Sequence, residues 1–108
     1  MSVQAVHDGN FRAAIRESGA TLVEFGAEWC PPCKALLPIL EEISAAHGEG
    51  LAVLKVDCDE SPQTASQFGI MSMPTVILFH DGEPVEKLVG LRPRAVYESA
   101  LAKYAVSA

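Results

Sequence analysis

The 108-residue sequence is poor in basic residues: Lys and Arg number 8 against 14 Asp and Glu, a formal net charge of −6. Nucleic acid is held by clustered Lys and Arg, so no nucleic-acid partner is expected; nor is an anionic membrane surface. The sequence lacks any apolar stretch near the roughly 20 residues that a membrane-spanning helix needs. Its first ten residues carry neither a basic start nor an apolar run, so no secretory leader is read there. For a chain that begins at its native start, this predicts a cytoplasmic protein. Internal repeats, linkers and low-complexity segments are missing too. Cysteine is scarce: three are too few for a disulfide scaffold, and an odd number leaves at least one without a partner in the chain. In a reducing compartment, a close cysteine pair is catalytic or metal-binding before it is structural.

What is present suffices for a core. The sequence is 49% hydrophobic and 20% charged, the balance of one globular domain spanning residues 1–108. Residues 20–27 (ATLVEFGA), 51–56 (LAVLKV) and 75–79 (TVILF) are short apolar runs of the kind buried on both faces of a sheet. A weaker first strand is read over 2–6. Between these runs, a helix over 11–18 is stopped by Gly19. A second begins near Cys30, carries Leu36, Ile39, Leu40 and Ile43 on one face, and closes at Gly48. Pro38 falls inside it and is expected to kink it. Ser61 before Pro62 reads as an N-cap, with Gly69 ending that short helix. Asp81-Gly82 marks a hairpin, Pro84, Glu86 and Lys87 mark its second strand as a sheet edge, and a last helix covers 93–104. The order is βαβαβαββα: an α/β fold with a mixed five-stranded central sheet, helices on both faces, parallel first strands and an antiparallel last pair.

The segment EWCPPCK, residues 28–34, stands where a buried strand ends and an amphipathic helix begins. Two intervening residues let the sulfurs meet in a small ring, with Cys30 near the N-cap and Cys33 near the third helical position. A helix N-terminus offers partial positive charge and free N–H groups, both favouring a thiolate at Cys30. That thiolate is the nucleophile of thiol–disulfide exchange. Pro31 and Pro32 are tolerated because first-turn N–H groups have no intrahelical partner. A structural zinc site would need four ligands, but only Cys58, His7, His47 and His80 remain, none at finger spacing. An inert structural disulfide is disfavoured because so small a loop removes little chain entropy. Redox chemistry is therefore preferred, with no metal.

The residues Leu22 to Phe25, Ala27 to Lys34, Pro38-Ile39-Leu40, Lys55-Val56-Asp57, Phe68-Gly69-Ile70, Met73-Pro74-Thr75, Asp81-Gly82 and Val89-Gly90 resemble the thioredoxin family in their order, over nearly the full length. The resemblance implies the thioredoxin fold and a protein-disulfide reductase cycling through a redox-active Cys30–Cys33 disulfide. Cys30 would be the exposed attacking thiolate, forming a mixed disulfide with a protein substrate, and the more buried Cys33 would resolve it. No cofactor would be bound; electrons would come from NADPH through a flavoprotein thioredoxin reductase. Reductase and disulfide-containing proteins would be the partners, with a monomer as the default state. Pro74 would be the family's cis-proline, and Trp29, Met73, Pro74, Val89 and Gly90 would form the apolar docking surface. Glu24 would be the buried proton acceptor for Cys33, at a position where the family usually has Asp, with Lys55 pairing with it or tuning it. Burial would raise the pKa of such an acid. A Glu24–Lys55 ion pair between neighbouring strands is compatible with that role. Met73 also reads as a core residue.

Three departures from the family bear on function. Pro31 replaces the common Gly, removing a donor near Cys30, which favours a more reducing couple, while stiffening the ring, which opposes it. The alternatives are therefore a disulfide isomerase or thiol oxidase on the same fold and, third, a binding module. Gly26 replaces a frequent aromatic residue, and looser packing is expected beside the helix. Cys58 reads as a small buried residue in preference to a regulatory thiol, with Asp57 and Asp59 raising its pKa.

Overall fold

The computed structural model describes residues 3–104 and 106. Five strands, β1 (Gln4–Val6), β2 (Ala20–Gly26), β3 (Leu51–Asp57), β4 (Thr75–His80) and β5 (Glu83–Val89), form one sheet in the order β1-β3-β2-β4-β5. Strands β1, β3 and β2 are parallel; β4 is antiparallel to β2, and β5 to β4. Four helices complete the expected order: α1 (Phe11–Ala14), α2 (Pro31–His47), α3 (Pro62–Gln67) and α4 (Arg94–Lys103). Ser2, expected in the first strand, lies outside the described residues.

The two-residue period of β2 divides the core. Ala20 and Leu22 pack with Leu36, Leu40 and Ile43 of α2 and with Tyr97 and Leu101 of α4. Val23 and Phe25 pack on the other face with Phe11, Ile15, Phe79 and, at its margin, Phe68. All four phenylalanines meet there, ring centroids 5.4–6.3 Å apart. Alternation then places Glu24 and Gly26 on the α2 face, and in β3 it places Lys55 and Asp57 there too.

Two expectations about local structure need correction. Helix α1 ends at Ala14, well short of Ser18. Ile15 turns extended to bury its side chain, and the Arg16 N–H donates to Thr21 Oγ1 at 3.1 Å. Ser61 holds the N-cap position of α3 before Pro62, as expected, but its hydroxyl makes no capping bond and is buried without a partner. The cap comes from the loop after β1, where Asp8 Oδ1 accepts from Thr64 N–H (2.8 Å) and Thr64 Oγ1 (2.7 Å), and Oδ2 accepts from Gln63 N–H (3.3 Å). Helix α2 runs on through Pro38 to His47. At the hairpin, Asp81 (φ 52°) and Gly82 (φ 86°) both adopt positive φ, as a two-residue turn requires.

Candidate functional site

The cysteine pair lies at the N-terminus of α2. Cys30 is the N-cap in extended conformation, and its Sγ accepts from the Cys33 N–H at 3.4 Å. Cys30 and Cys33 form a disulfide, with Cα atoms 5.3 Å apart. Pro31 and Pro32 fill the first two helical positions, so two of the N–H groups a helix start normally offers are missing here.

The cysteines do not differ in exposure as expected. Both are 4% exposed, because the ring lies against Ala27 and Met73. They differ in what they face. Cys30 Sγ is 3.8 Å from the Met73 carbonyl oxygen, on the outer side, and the Met73–Pro74 peptide bond is cis. Cys33 faces inward, lining a cavity of about 320 Å³ with Glu24, Gly26, Lys34, Lys55 and Asp57.

Glu24 is 4% exposed. Burial pushes its carboxyl from the ordinary 4.5 up to about 7; the Lys55 ammonium pulls the other way, and the Asp57 carboxylate adds to the rise. Glu24 and Lys55 are register partners on β2 and β3. Yet no Glu24–Lys55 ion pair within 4.0 Å is found among the described residues. Lys55 therefore acts on Glu24 across the cavity, through space. The looser packing expected at Gly26 is not found at that position: the Glu24 carboxylate and Cys33 occupy the space that a side chain at 26 would claim.

The outer rim joins separate parts of the chain. Trp29 is 64% exposed, and Val89 and Leu91 are each 44% exposed; Met73 is half-buried and Pro74 buried. The Gly90 N–H donates to the Pro74 carbonyl at 2.8 Å, tying β5's end to the loop before β4. Thr75 Oγ1 donates to the Ser72 carbonyl at 2.7 Å, and the Tyr97 hydroxyl donates to the Gly90 carbonyl at 3.4 Å. Apolar side chains of Trp29, Met73, Val89 and Leu91 thus lie around the disulfide.

Several residues of this region escape a reading of the sequence. Met71, 94% exposed, and Leu91 widen the rim. Asp59 Oδ2 accepts from Trp29 Nε1 at 2.6 Å, and the turn carrying Asp59 is held by Asp57 Oδ1, which accepts from the N–H groups of Asp59 (2.9 Å) and Glu60 (3.2 Å). No local pattern announces a bond across 30 positions. Cys58 is half-buried beside β2, its N–H donating to the Gly26 carbonyl at 2.8 Å. Burial pushes its thiol up to about 11, with the Glu24, Asp57 and Asp59 carboxylates adding to the rise.

Known proteins bear out this architecture. The family model described as Thioredoxin matches residues 2–103. A thioredoxin of Alicyclobacillus acidocaldarius is 48% identical over 95 residues, covering 88% of this chain and 90% of that protein. A thioredoxin of Staphylococcus haemolyticus is 45% identical over 104 residues, covering 96% and 99%. The solved structure of a mutant thioredoxin from Halobacterium salinarum superposes with a TM-score of 0.88 at 30% identity, covering 99% of this chain and 93% of that one. With a cysteine pair at disulfide distance on the helix terminus, the chain belongs to the thioredoxin family of thiol–disulfide oxidoreductases that reduce protein disulfides.

Proposed function

We propose that this chain, as a single domain spanning residues 1–108, reduces protein disulfides through a mixed-disulfide intermediate. In the reduced protein the Cys30 thiolate attacks a substrate disulfide, forming a Cys30–substrate bond and releasing one substrate thiol. Cys33 then attacks Cys30 Sγ, closing the Cys30–Cys33 disulfide and releasing the second thiol. The observation that carries this reading is the position of Cys30 Sγ, 3.8 Å from the Met73 carbonyl inside an apolar rim. A substrate strand paired along residues 72–74 brings its disulfide to that sulfur. Trp29, Met73, Pro74, Val89 and Gly90 supply the docking surface. Glu24, with its carboxyl near pKa 7, takes the proton of Cys33, and Lys55 tunes it.

No cofactor is bound in this reading. Electrons return from NADPH through a flavoprotein thioredoxin reductase, and a reducing cytoplasmic setting and a monomer suit that cycle. Pro31 bears on its direction. With Pro31 and Pro32 at the first two helical positions, the Cys33 N–H is the backbone donor left to the Cys30 sulfur. A thiolate with fewer donors is less stable, which favours the disulfide and a reducing couple.

The test is the reduction potential of the Cys30–Cys33 couple, read by Trp29 fluorescence in a Cys58→Ser background. A value near about −270 mV supports the reductase, and one near about −180 mV or higher favours the isomerase or oxidase alternative. Cys33→Ser should accumulate mixed disulfides and Cys30→Ser should abolish turnover. Turnover surviving in Cys30→Ser rules the mechanism out.

A further inference from the structure

Glycine at position 26 has no conformational reason, since it lies within β2 and outside the positive-φ region. A glycine inside a strand weakens it, and its recurrent use is to let another group approach closely. Here the approaching groups are known. A Cβ at position 26 would overlap Glu24 Oε2 and would stand 2.9 Å from Cys33 Sγ. Alternation along β2 puts residues 24 and 26 on the same face, and the Glu24 side chain folds forward into the space over Gly26. The carboxylate therefore fills the methyl-sized volume over Gly26, the Cys33 sulfur stands at its edge, and both line the adjoining cavity.

We propose that Gly26 is a positioning residue for the proton transfer, keeping that volume free so that the Glu24 carboxylate is held beside Cys33 Sγ. The inference rests on Glu24 being the acceptor for Cys33. In the step concerned, the Cys33 S–H proton passes to the Glu24 carboxylate as Cys33 Sγ attacks Cys30 Sγ. The Cys30–substrate bond breaks, the Cys30–Cys33 bond forms, and the substrate sulfur leaves with the electron pair as a thiolate. The two cysteines together lose two electrons, which the substrate disulfide gains. An added methyl at 26 drives the carboxylate away from the sulfur. A shorter acid at 24 withdraws from the volume and leaves room for that methyl.

The position can be tested by rapid mixing of the reduced Cys58→Ser protein with 5,5′-dithiobis(2-nitrobenzoate). Release of the second thionitrobenzoate reports attack by Cys33. Gly26→Ala should slow that release about tenfold and change its pH profile, by the usual weight of a displaced acid–base group. In a Glu24→Asp background, the same Gly26→Ala change should leave the release unslowed or speed it. Reversal of the alanine effect with the acid's length is the signature of the proposal. Slowing in both backgrounds means the methyl acts on Cys33 alone and overturns it; so does an unchanged rate and pH profile in Gly26→Ala. If Gly26→Ala does not fold, Gly26→Ala/Glu24→Asp must fold, and failure of both overturns the proposal. Glu24→Gln separates the two claims. An unaltered second release there removes the acceptor role itself, and the proposal with it, whereas slowing in Glu24→Gln beside an unaffected Gly26→Ala removes only the role of Gly26.

Discussion

The indole N–H of Trp29 donates to Asp59 Oδ2 at 2.6 Å, joining the residue before the active-site cysteine to the loop after β3. The bond holds an exposed indole in one orientation and so lowers the entropy lost when a polypeptide docks on it. Asp59→Ala should raise KM for a protein disulfide several-fold, roughly the 1 kcal/mol net worth of one exposed hydrogen bond, with kcat little changed. Trp29 fluorescence anisotropy should fall in the same variant. An unchanged KM would show that the indole orientation does not matter for docking.

Glu24 makes stability depend on pH in the direction opposite to a salt-bridged acid. Its folded pKa, about 7, lies above the ordinary 4.5, so between these values the folded protein holds a proton that the unfolded chain has released. Stability therefore falls as pH rises through this window, by on the order of 3 kcal/mol in all, and stays low above it. Glu24→Gln should be more stable than the parent by about that amount at pH 8 and nearly equal to it at pH 4. Urea titrations at the two pH values decide the point.

Asp8, not Ser61, supplies the side-chain cap of α3. Asp8→Ala removes three hydrogen bonds from the start of α3 and should lower Tm at pH 7. The hydrogen bond from Thr64 Oγ1, the largest cause, holds the Asp8 pKa below its ordinary value. Its contribution is thus full above that ordinary pKa and lost as pH falls through the lowered one, and the Tm difference should shrink in acid. Ser61→Ala removes a buried hydroxyl that has no partner, so it should be neutral or stabilising by about 1 kcal/mol. Calorimetry of both variants measures the contrast.

Cys58 should behave as an inert thiol. With its pKa near 11, its thiolate is scarce at neutral pH. Iodoacetamide should alkylate it about a hundredfold more slowly than an ordinary free cysteine at pH 7.5, and at an ordinary rate after unfolding in urea. Rapid labelling in the native protein would restore a regulatory reading.

The element order, the cysteine pair at a strand-to-helix junction and the hairpin at Asp81-Gly82 are all legible along the chain. Each depends on near neighbours: a two-residue alternation, a proline at a helix start, a turn that needs positive φ. Family resemblance then supplied Glu24, Lys55 and the docking residues. Whatever depends on distance through space had to wait for the folded chain. Folding buried Cys30 as deeply as Cys33, set Lys55 across a cavity from Glu24, and gave α3 its cap from Asp8 rather than from the adjacent Ser61. Position 26 shows why the division falls where it does. Read locally, Gly26 is a missing side chain and a weak point in a strand. In the folded chain its missing Cβ is the space in which a carboxylate from β2 and a sulfur from α2 come together, and no pattern along the chain encodes that meeting.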